Sequence, residues 1–416
     1  MSNKEDKSKE NNEKESIKTK NIILYGTAGV GKTHNYQRLI SMIEEGRDEI
    51  EIFDTITDNE DKNEIELDNE TFKTIKNDGR VEFVTFHQSY SYEDFIEGLR
   101  PNDKGGIDHI EGIFKEIADR ADENLKDSKK SKQEIKILYN FQNLLDEFKL
   151  YVEDKISEGE FILKGKATIT EVSKSSFSVG GSVSSGQKLT FNIIERDYQE
   201  FKNGTIKTYQ DVKSTFESKR GVHGNAPYYF ALYKKLKDFE KNYYKNSNTN
   251  IDETIKKKNY YIVIDEINRG NISKIFGELI TLIEEDKRDS YEVTLQYSKK
   301  EFKVPSNLYI IATMNSSDKS IATIDIALRR RFTFLKMLPN LALVKNEKAN
   351  ELMEKLNIYI EKTLGEDYML GHSYFMKVEN EKDLNFIKKY KIEPLLEEYF
   401  YGDEKSLEEA FQFLKV

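Results

Sequence analysis

Two patterns of apolar residues alternate along much of this chain. Short runs that are apolar almost throughout are typical of strands buried on both faces of a parallel sheet. Such runs occupy residues 21–25, 81–86, 260–264, 308–313 and 332–335. Between several of them, apolar residues recur at spacings of three and four, which predicts amphipathic helices. The alternation as a whole predicts an α/β fold built on a parallel sheet.

The clearest helical pattern follows the run at residues 260–264. Its apolar residues would share one face of a single helix: Ile272, Ile275, Phe276, Leu279, Ile280 and Ile283. Residues 291–297 and 300–304 then read as a hairpin-like pair of strands, and a short helix at 324–329 precedes the last strand. After Pro339 the pattern is helical, which predicts a C-terminal helical domain over residues 339–416.

Residues 130–245 interrupt the alternation and are interpreted as an insertion into the α/β domain. A helical pattern covers residues 136–152, and residues 161–194 are β-branched and rich in Gly and Ser, which predicts short antiparallel strands. A helix at 228–243 leads back. Docking of a partner and contact with DNA are both open as roles for the insertion.

Composition limits the classes of protein that fit. Of 416 residues, 34% are charged, the net charge is −10, and cysteine is absent, which excludes disulfides and thiolate metal sites. No apolar run approaches the roughly 18 residues that cross a bilayer, so we expect a cytoplasmic protein without a membrane partner. The polar, mixed-charge residues 1–20 predict a disordered tail. The Lys-rich residues 126–136 fit a solvated helix start better than a basic patch.

The stretch G-T-A-G-V-G-K-T, between the first apolar run and a helical pattern, matches the phosphate-binding P-loop. Its glycines let backbone N–H groups point inward, and the helix start adds a partial positive charge. A glycine-rich turn without a ligand is the alternative. The predicted nucleotide-binding residues are Gly26, Thr27, Ala28, Gly29, Val30, Gly31, Lys32 and Thr33.

Polar residues end the next two buried runs. Asp265 and Glu266 follow Y-Y-I-V-I, and Asn315 ends N-L-Y-I-I-A-T-M-N. We expect Asp265 and the Thr33 hydroxyl to hold Mg²⁺ and Glu266 to deprotonate the attacking water. Asn315 would position that water or contact the γ-phosphate. Carboxyl ends of parallel strands are where ligands bind in open α/β sheets.

Three consecutive arginines, 329–331, precede the last strand. One interpretation is a surface cluster paired with the acidic residues 284–286. The other, which we favour, is an arginine finger that reaches the γ-phosphate bound by a neighbouring subunit, with Arg330 and Arg331 as the candidates.

Together these motifs resemble the AAA+ NTPases, and more narrowly the McrB family, the motor subunits of McrBC modified-cytosine restriction systems. D-E-I-N-R-G-N at 265–271 and M-N-S-S-D-K-S at 314–320 are similar to that family's signatures. F-H-Q-S-Y-S-Y-E-D-F-I-E-G at 86–98 and G-H-S-Y-F-M at 371–376 also resemble family stretches. The resemblance covers residues 20–416.

The resemblance implies an AAA+ P-loop NTPase core, an αβα sandwich with a parallel sheet, over residues 21–338. A β-containing insertion at about 130–245 and a helical lid at 339–416 complete it. It further implies a homo-oligomeric ring, a hexamer, that hydrolyses GTP (ATP is the alternative) with Mg²⁺. Family members are activated by an McrC-type endonuclease subunit and translocate DNA. The matching positions carry the roles given above to Lys32, Thr33, Asp265, Glu266, Asn315, Arg330 and Arg331.

Two other functions stay open. A MoxR-like or dynein-related AAA+ ATPase that remodels protein complexes would share the core motifs, and a subunit that only binds nucleotide would share the P-loop. No nuclease motif is found, so cleavage would belong to a partner subunit. His372 is more readily explained as an isolated histidine than as a neighbour of the nucleotide. The aromatic residues Tyr90, Tyr92 and Phe95 fit a packed helix start better than a base-stacking surface.

Overall fold

The computed structural model describes residues 17–58, 70–101, 106–181, 187–214, 221–243, 255–317 and 326–415. The strands, in chain order, are β1 (Asn21–Gly26), β2 (Val81–Thr85), β3 (Glu97–Pro101), β4 (Ile107–Glu111), β5 (Phe161–Lys164), β6 (Ala167–Val172), β7 (Ser176–Gly180), β8 (Gln187–Thr190), β9 (Tyr260–Asp265), β10 (Val293–Thr294), β11 (Glu301–Phe302), β12 (Leu308–Asn315) and β13 (Thr333–Lys336).

The α-helices, in chain order, are α1 (Lys32–Glu44), α2 (Glu49–Thr57), α3 (Glu70–Asn77), α4 (Tyr92–Phe95), α5 (Ile113–Ser128), α6 (Lys132–Glu158), α7 (Phe191–Lys202), α8 (Ala226–Tyr243), α9 (Ile272–Phe276), α10 (Ile326–Arg329), α11 (Glu347–Leu364), α12 (Glu381–Ile387), α13 (Glu393–Tyr399) and α14 (Glu404–Leu414). None of the described helices is long and apolar enough to cross a bilayer. The chain divides into two compact units: the described residues up to 126 together with those from 257 onward, and the described residues between 127 and 256.

The first unit is built on a five-stranded sheet with the order β13-β1-β12-β9-β2. Every neighbouring pair in it is parallel. Because each parallel strand is joined to the next by a crossover, helices cover the sheet. Its central strands β1, β12 and β9 are mostly buried, and the edge strands β2 and β13 are only partly buried. The predicted α/β fold with a parallel sheet is confirmed.

Successive residues of the central strands pack into different apolar clusters on the two faces of the sheet. Ile23, Ile262 and Ile310 belong to one cluster, which α4, α5 and α9 complete. Ile22, Tyr261 and Ile311 belong to the other, together with residues of α1, α2 and α3. The result is the αβα layering expected of an AAA+ core.

The C-terminal part of the first unit is helical and has a core of its own. Apolar residues of α11 to α14 form a cluster separate from those of the sheet, including Leu356, Leu384 and Leu396. A π-helical turn, Lys388–Ile392, connects α12 to α13. No strand occurs among described residues after β13, as the sequence pattern predicts.

The second unit contains an antiparallel sheet, in the order β5-β6-β7-β8, and the helices α6, α7 and α8. Buried side chains such as Phe177, Leu189 and Leu232 form its core. Polar groups inside it are paired: Asp197 accepts from Arg196 Nε at 2.5 Å and from the Tyr233 hydroxyl at 3.2 Å. This unit therefore has a core of its own within residues 127–256.

Three predictions made from the sequence pattern need correction. Residues 17–20 are not a disordered tail, because Ile17 is 5% exposed in an apolar cluster and Lys20 Nζ donates to the Tyr309 hydroxyl at 2.6 Å. Residues 1–16 lie outside the described residues. The helix expected to run from 272 to 283 ends at Phe276, since Gly277 adopts φ 51° and ψ −128°, which no helix contains. Residues 191–194 begin α7 instead of ending a strand.

A buried arginine connects the start of β1 to the segment that follows α9. Arg288 is 5% exposed and donates to the carbonyls of Ile283, Pro305 and Leu308. It also donates to Asn21 Oδ1 at 2.6 Å. Burial lowers the pKa of Arg288 to about 10, so the guanidinium stays charged at neutral pH. Four acceptors therefore depend on one cation.

The amide group of Asn21 continues this network. Its Nδ2 donates to the Ile283 carbonyl at 2.8 Å and to the Arg331 carbonyl at 2.9 Å. Asn21 is 2% exposed and is the first residue of β1. The first residue of β1, the strand that leads into the P-loop, is thus hydrogen-bonded to the backbone at Arg331.

We expect Arg288→Met to lower the free energy of unfolding by roughly 3–5 kcal/mol, because buried acceptors lose a charged donor. Chemical unfolding followed by circular dichroism measures the change. Lys287→Met removes the neighbouring cation, whose ammonium pairs only with Asp286 among described carboxylates, and serves as the control. Equal unfolding midpoints for the two variants would contradict the role given to Arg288.

Candidate functional site: the P-loop and the strand ends around it

The P-loop lies between β1 and α1, where Gly29 and Gly31 adopt φ values of 82° and 75°. Residues with a side chain rarely adopt this left-handed backbone conformation, so the two glycines allow the loop to bend. Lys32 begins α1 and is 9% exposed. Its Nζ donates to the carbonyls of Gly26 at 2.9 Å and Thr27 at 2.6 Å. The ammonium therefore lies inside the loop, where a phosphate would need it.

The charge on Lys32 depends on two carboxylates across the site. Burial lowers its pKa to about 8, and the charges of Glu266 and Asp265 oppose that shift. Both acids are thus close enough to the lysine to act on it. The P-loop lysine and the two strand-end acids therefore influence one another electrostatically.

A threonine holds the acidic strand end in place. The Thr313 hydroxyl donates to Asp265 Oδ1 and accepts from the Glu266 N–H at 3.2 Å. Glu266 has φ 53° and ψ 47°, a left-handed conformation that is uncommon for residues other than glycine. Its Oε2 accepts from Arg269 Nε at 3.1 Å, and its side chain is 26% exposed. The carboxylates of Asp265 and Glu266 consequently have different hydrogen-bond partners.

Asn315 lies beside the first glycine of the P-loop. It pairs with Gly26 in the β1–β12 register, and the N–H of the next residue, Ser316, donates to the Gly26 carbonyl at 3.0 Å. Asn315 Oδ1 accepts from the N–H of Ser317 at 3.3 Å and from its hydroxyl at 2.9 Å. These two bonds to Oδ1 fix the orientation of the amide, whose donor atom is Nδ2. The remaining signature residues, 318–320, lie outside the described residues.

The oxygen atoms of this site fit a magnesium ion. A carboxylate from Asp265 and a hydroxyl from Thr33, at the start of α1, are hard ligands that Mg²⁺ prefers, and phosphate and water oxygens complete its usual shell. No group of three or more His, Cys, Asp or Glu side chains in the described part of the chain could hold a metal ion. A protein-only metal cage is therefore not part of what the structure describes.

The two candidate finger arginines have different surroundings. Arg330 is 67% exposed and Arg331 is 6% exposed, yet both guanidinium groups pair with Glu284 Oε1, at 3.0 Å and 2.5 Å. Pairing with an acid among residues 284–286 is the alternative that the sequence left open. Arg331 would have to leave a buried ion pair to reach another chain, whereas Arg330 is at the surface.

A segment of the C-terminal helical part packs directly against the P-loop. The Ser373 N–H donates to the Gly29 carbonyl at 3.0 Å. A Cβ atom added to Gly371 would lie 2.3 Å from the Gly29 carbonyl carbon and 2.4 Å from the Ala28 oxygen. Only glycine fits this approach. The P-loop is thus held on one side by the sheet and on the other by residues 371–373.

His372, between those two contacts, is 7% exposed and its Nδ1 accepts from the Asn340 N–H at 3.1 Å. Burial, and secondarily the charge of His34, lowers the pKa of His372 to about 4, so the ring is neutral at physiological pH. The ring also lines a cavity beside the P-loop, whose other walls are Val30, Asn35, Arg38, Thr55, Ile56, Thr57, Asp58, Met337, Leu338, Asn340 and Leu343.

Several residues of this site are not predicted by the sequence pattern. Thr313 could have been found from the strand period, because it lies two positions before Asn315 and so faces the same side of β12. Gly371 and Ser373 belong to a stretch that the sequence distinguishes only by its family resemblance, and the sequence favours an isolated histidine at His372. The aromatic residues Tyr92 and Phe95 are buried, and Tyr90 stacks on Phe86, as expected of a packed helix start.

The sheet order, the P-loop, the acidic strand end and the helical C-terminal part together define an AAA+ protein with a P-loop NTPase core. A family model for the AAA domain of the dynein-related subfamily matches residues 231–332. A second family model, for the alpha-helical lid domain of McrB, matches residues 348–408. With the sequence similarity that follows, these matches support an McrB-family AAA+ protein.

Two curated relatives are restriction enzyme components. The chain is 42% identical over 173 residues to the type IV methyl-directed restriction enzyme EcoKMcrB subunit of Escherichia coli strain K12, covering 35% of this chain and 38% of the relative. It is 34% identical over 89 residues to the type II restriction enzyme BsuMI component YdiS of Bacillus subtilis strain 168, covering 18% of this chain and 26% of the relative. The chain thus spans well under half the length of these relatives.

We expect Gly371→Ala to push the lid segment off the P-loop, because the new methyl group would overlap backbone atoms that cannot rotate away. The free energy of unfolding should fall by about 1–3 kcal/mol, and nucleotide affinity should fall with it. Thermal unfolding and calorimetric titration measure the two effects. Gly159→Ala is the matched control, since a Cβ there meets no atom within 4 Å. An identical response of both variants would contradict the close packing.

Proposed function

We propose that this chain is the nucleoside triphosphatase motor of an McrBC-type restriction system, with GTP as the substrate and ATP as the alternative. The observation that carries the proposal is the convergence of Lys32, the Asp265–Glu266 pair and Asn315 at the ends of neighbouring strands. The names of both relatives as restriction enzyme components support the biological setting. GTP itself rests on the family resemblance.

Each residue of the site has a distinct task in hydrolysis. The P-loop amides and Lys32 bind the β- and γ-phosphates, and the lysine offsets the negative charge that grows during transfer. Glu266 accepts a proton from the attacking water, and Asn315 holds that water or a γ-phosphate oxygen through Nδ2. Thr33 and Asp265 would hold Mg²⁺, which supplies electrostatic stabilisation of the phosphates when bound.

We further propose that the active form is a ring of identical subunits, a hexamer by family resemblance, in which Arg330 contacts the nucleotide of the neighbouring subunit. Its exposure supports this role, and its partner Glu284 would release it on assembly. Arg331, which is buried with the same carboxylate, instead anchors the segment. This assigns the two predicted arginines different roles.

The proposed partners are an endonuclease subunit and DNA. Since no nuclease motif is found in the sequence, cleavage would belong to a separate McrC-type endonuclease subunit, and DNA would be moved by the ring in the cytoplasm. A protein-remodelling AAA+ ATPase of the MoxR-like or dynein-related kind is the second candidate, favoured by the description of the AAA family model. Stimulation of turnover by DNA and a nuclease subunit, and not by a protein substrate, would separate the two.

We expect Glu266→Gln to retain nucleotide binding while phosphate release falls by roughly 10²–10⁴-fold, because the amide cannot accept the proton from water. Lys32→Ala should lose binding itself, since the buried ammonium is removed. Calorimetric titration with non-hydrolysable GTP and ATP analogues gives the affinities, and a phosphate-release assay gives the rates for both nucleotides.

Glu354→Gln changes an exposed acid of α11 and serves as the control for this pair. Undiminished turnover in Glu266→Gln would remove Glu266 as the base. Absence of turnover in the unaltered chain, with binding intact and a nuclease subunit and DNA supplied, would leave a subunit that only binds nucleotide.

We expect Arg330→Ala to keep nucleotide binding and stability but to lower turnover about 10³-fold, because each site lacks its trans cation. Arg331→Ala should instead lower stability. A mixture of Arg330→Ala and Lys32→Ala subunits tests the trans arrangement directly. The Arg330→Ala subunit keeps its P-loop lysine, and the Lys32→Ala subunit keeps Arg330. Activity should therefore return at interfaces where the P-loop of an Arg330→Ala subunit faces Arg330 of a Lys32→Ala subunit. A mixture as inactive as its components, in rings shown to be mixed, would refute the finger.

A further inference from the structure

The nucleoside end of the nucleotide needs a site separate from the phosphate site. Lys32, Asp265 and Glu266 define where the terminal phosphates lie, at the start of α1. The cavity that His372 lines begins beside the P-loop at Val30 and continues along α1, where Asn35 and Arg38 also line it. A nucleotide whose phosphates occupy the P-loop would extend its nucleoside toward this cavity.

The hydrogen bonding of His372 determines which of its nitrogens carries the proton. Nδ1 accepts from the Asn340 backbone N–H at 3.1 Å, so it must be the unprotonated nitrogen. A neutral imidazole has one donor and one acceptor, and the proton is therefore on Nε2. The backbone thus fixes the tautomer of a ring that is 7% exposed.

The protonated nitrogen lies against the P-loop. His372 Nε2 is 3.6 Å from the position that a Cβ on Gly31 would occupy. No described residue accepts a hydrogen bond from Nε2, while the same ring forms part of the cavity wall. The Nε2–H is therefore available to an acceptor atom that arrives with a ligand.

We infer that His372 Nε2–H is a hydrogen-bond donor to the nucleoside end of the nucleotide bound at the P-loop. The ligand chemistry is an acceptor atom on a purine base or on its ribose, next to a triphosphate. This inference rests on the proposed nucleotide-binding function and adds a specific nucleoside contact to it. The contact would also connect nucleotide binding to the helical C-terminal part, which contains His372.

Two substitutions of His372 distinguish the hydrogen-bonding roles of its two ring nitrogens. In His372→Asn the amide oxygen is near the position of Nδ1 and can still accept from Asn340, but the distant donor is lost. In His372→Gln the amide N–H is near the position of Nε2, while the acceptor for Asn340 is lost. The first variant should be stable and bind poorly, and the second should be less stable and bind well.

The test is calorimetric titration of the full chain with non-hydrolysable GTP and ATP analogues and with inorganic triphosphate. For His372→Asn we expect the Kd of the preferred nucleotide to rise about 3- to 10-fold, the effect of one neutral hydrogen bond. The Kd of inorganic triphosphate should not change, because that ligand has no nucleoside. His372→Gln should bind the nucleotide within about 2-fold of the unaltered chain, since it keeps a donor.

Equal nucleotide affinity of His372→Asn and the unaltered chain would overturn the inference. So would an equal loss of affinity for nucleotide and inorganic triphosphate, which would indicate a distorted P-loop. Failure of the proposed function looks different, because the unaltered chain would then bind neither nucleotide nor inorganic triphosphate.

Discussion

Parallel pairing of strands that are buried on both faces is the constraint on which the rest of this structure depends. Such strands must be joined by crossovers, and their carboxyl ends all meet at one edge of the sheet. That edge is where the polar residues lie: Lys32 after β1, Asp265 and Glu266 after β9, and Asn315 at the end of β12. Residues nearly 300 positions apart in the sequence therefore share one site because of the topology.

The parts of the fold that could be predicted are those with local causes. A strand buried on both faces has an apolar sequence, and a P-loop needs glycines, a lysine and a hydroxyl within eight residues. Breaks in regular structure were harder, because the apolar spacing on both sides of Gly277 fits a helix and only the conformation of one residue ends it. The helices α2 and α3 and the β3–β4 hairpin also lacked a pattern strong enough to identify them.

The site shows the same division between local and tertiary causes. Arg330 and Arg331 are chemically identical neighbours, and only their packing, with one side chain exposed and the other buried beside Glu284, gives them different capacities. The contact of Gly371 and Ser373 with the P-loop joins segments more than 300 residues apart. No sequence pattern near either segment reports the other, so such contacts could not be derived from spacing.

The bonds of Asn21 give β1 a mechanical role. The strand is six residues long and spans about 17 Å. At its far end the Gly26 carbonyl is bonded to the Asn-bearing strand end, and at its near end Asn21 is bonded to the Arg331 carbonyl. Extended backbone hardly stretches, so β1 is a stiff connection between the P-loop and the segment that contains Arg331. Displacement of either end of the strand would therefore move the other end with it.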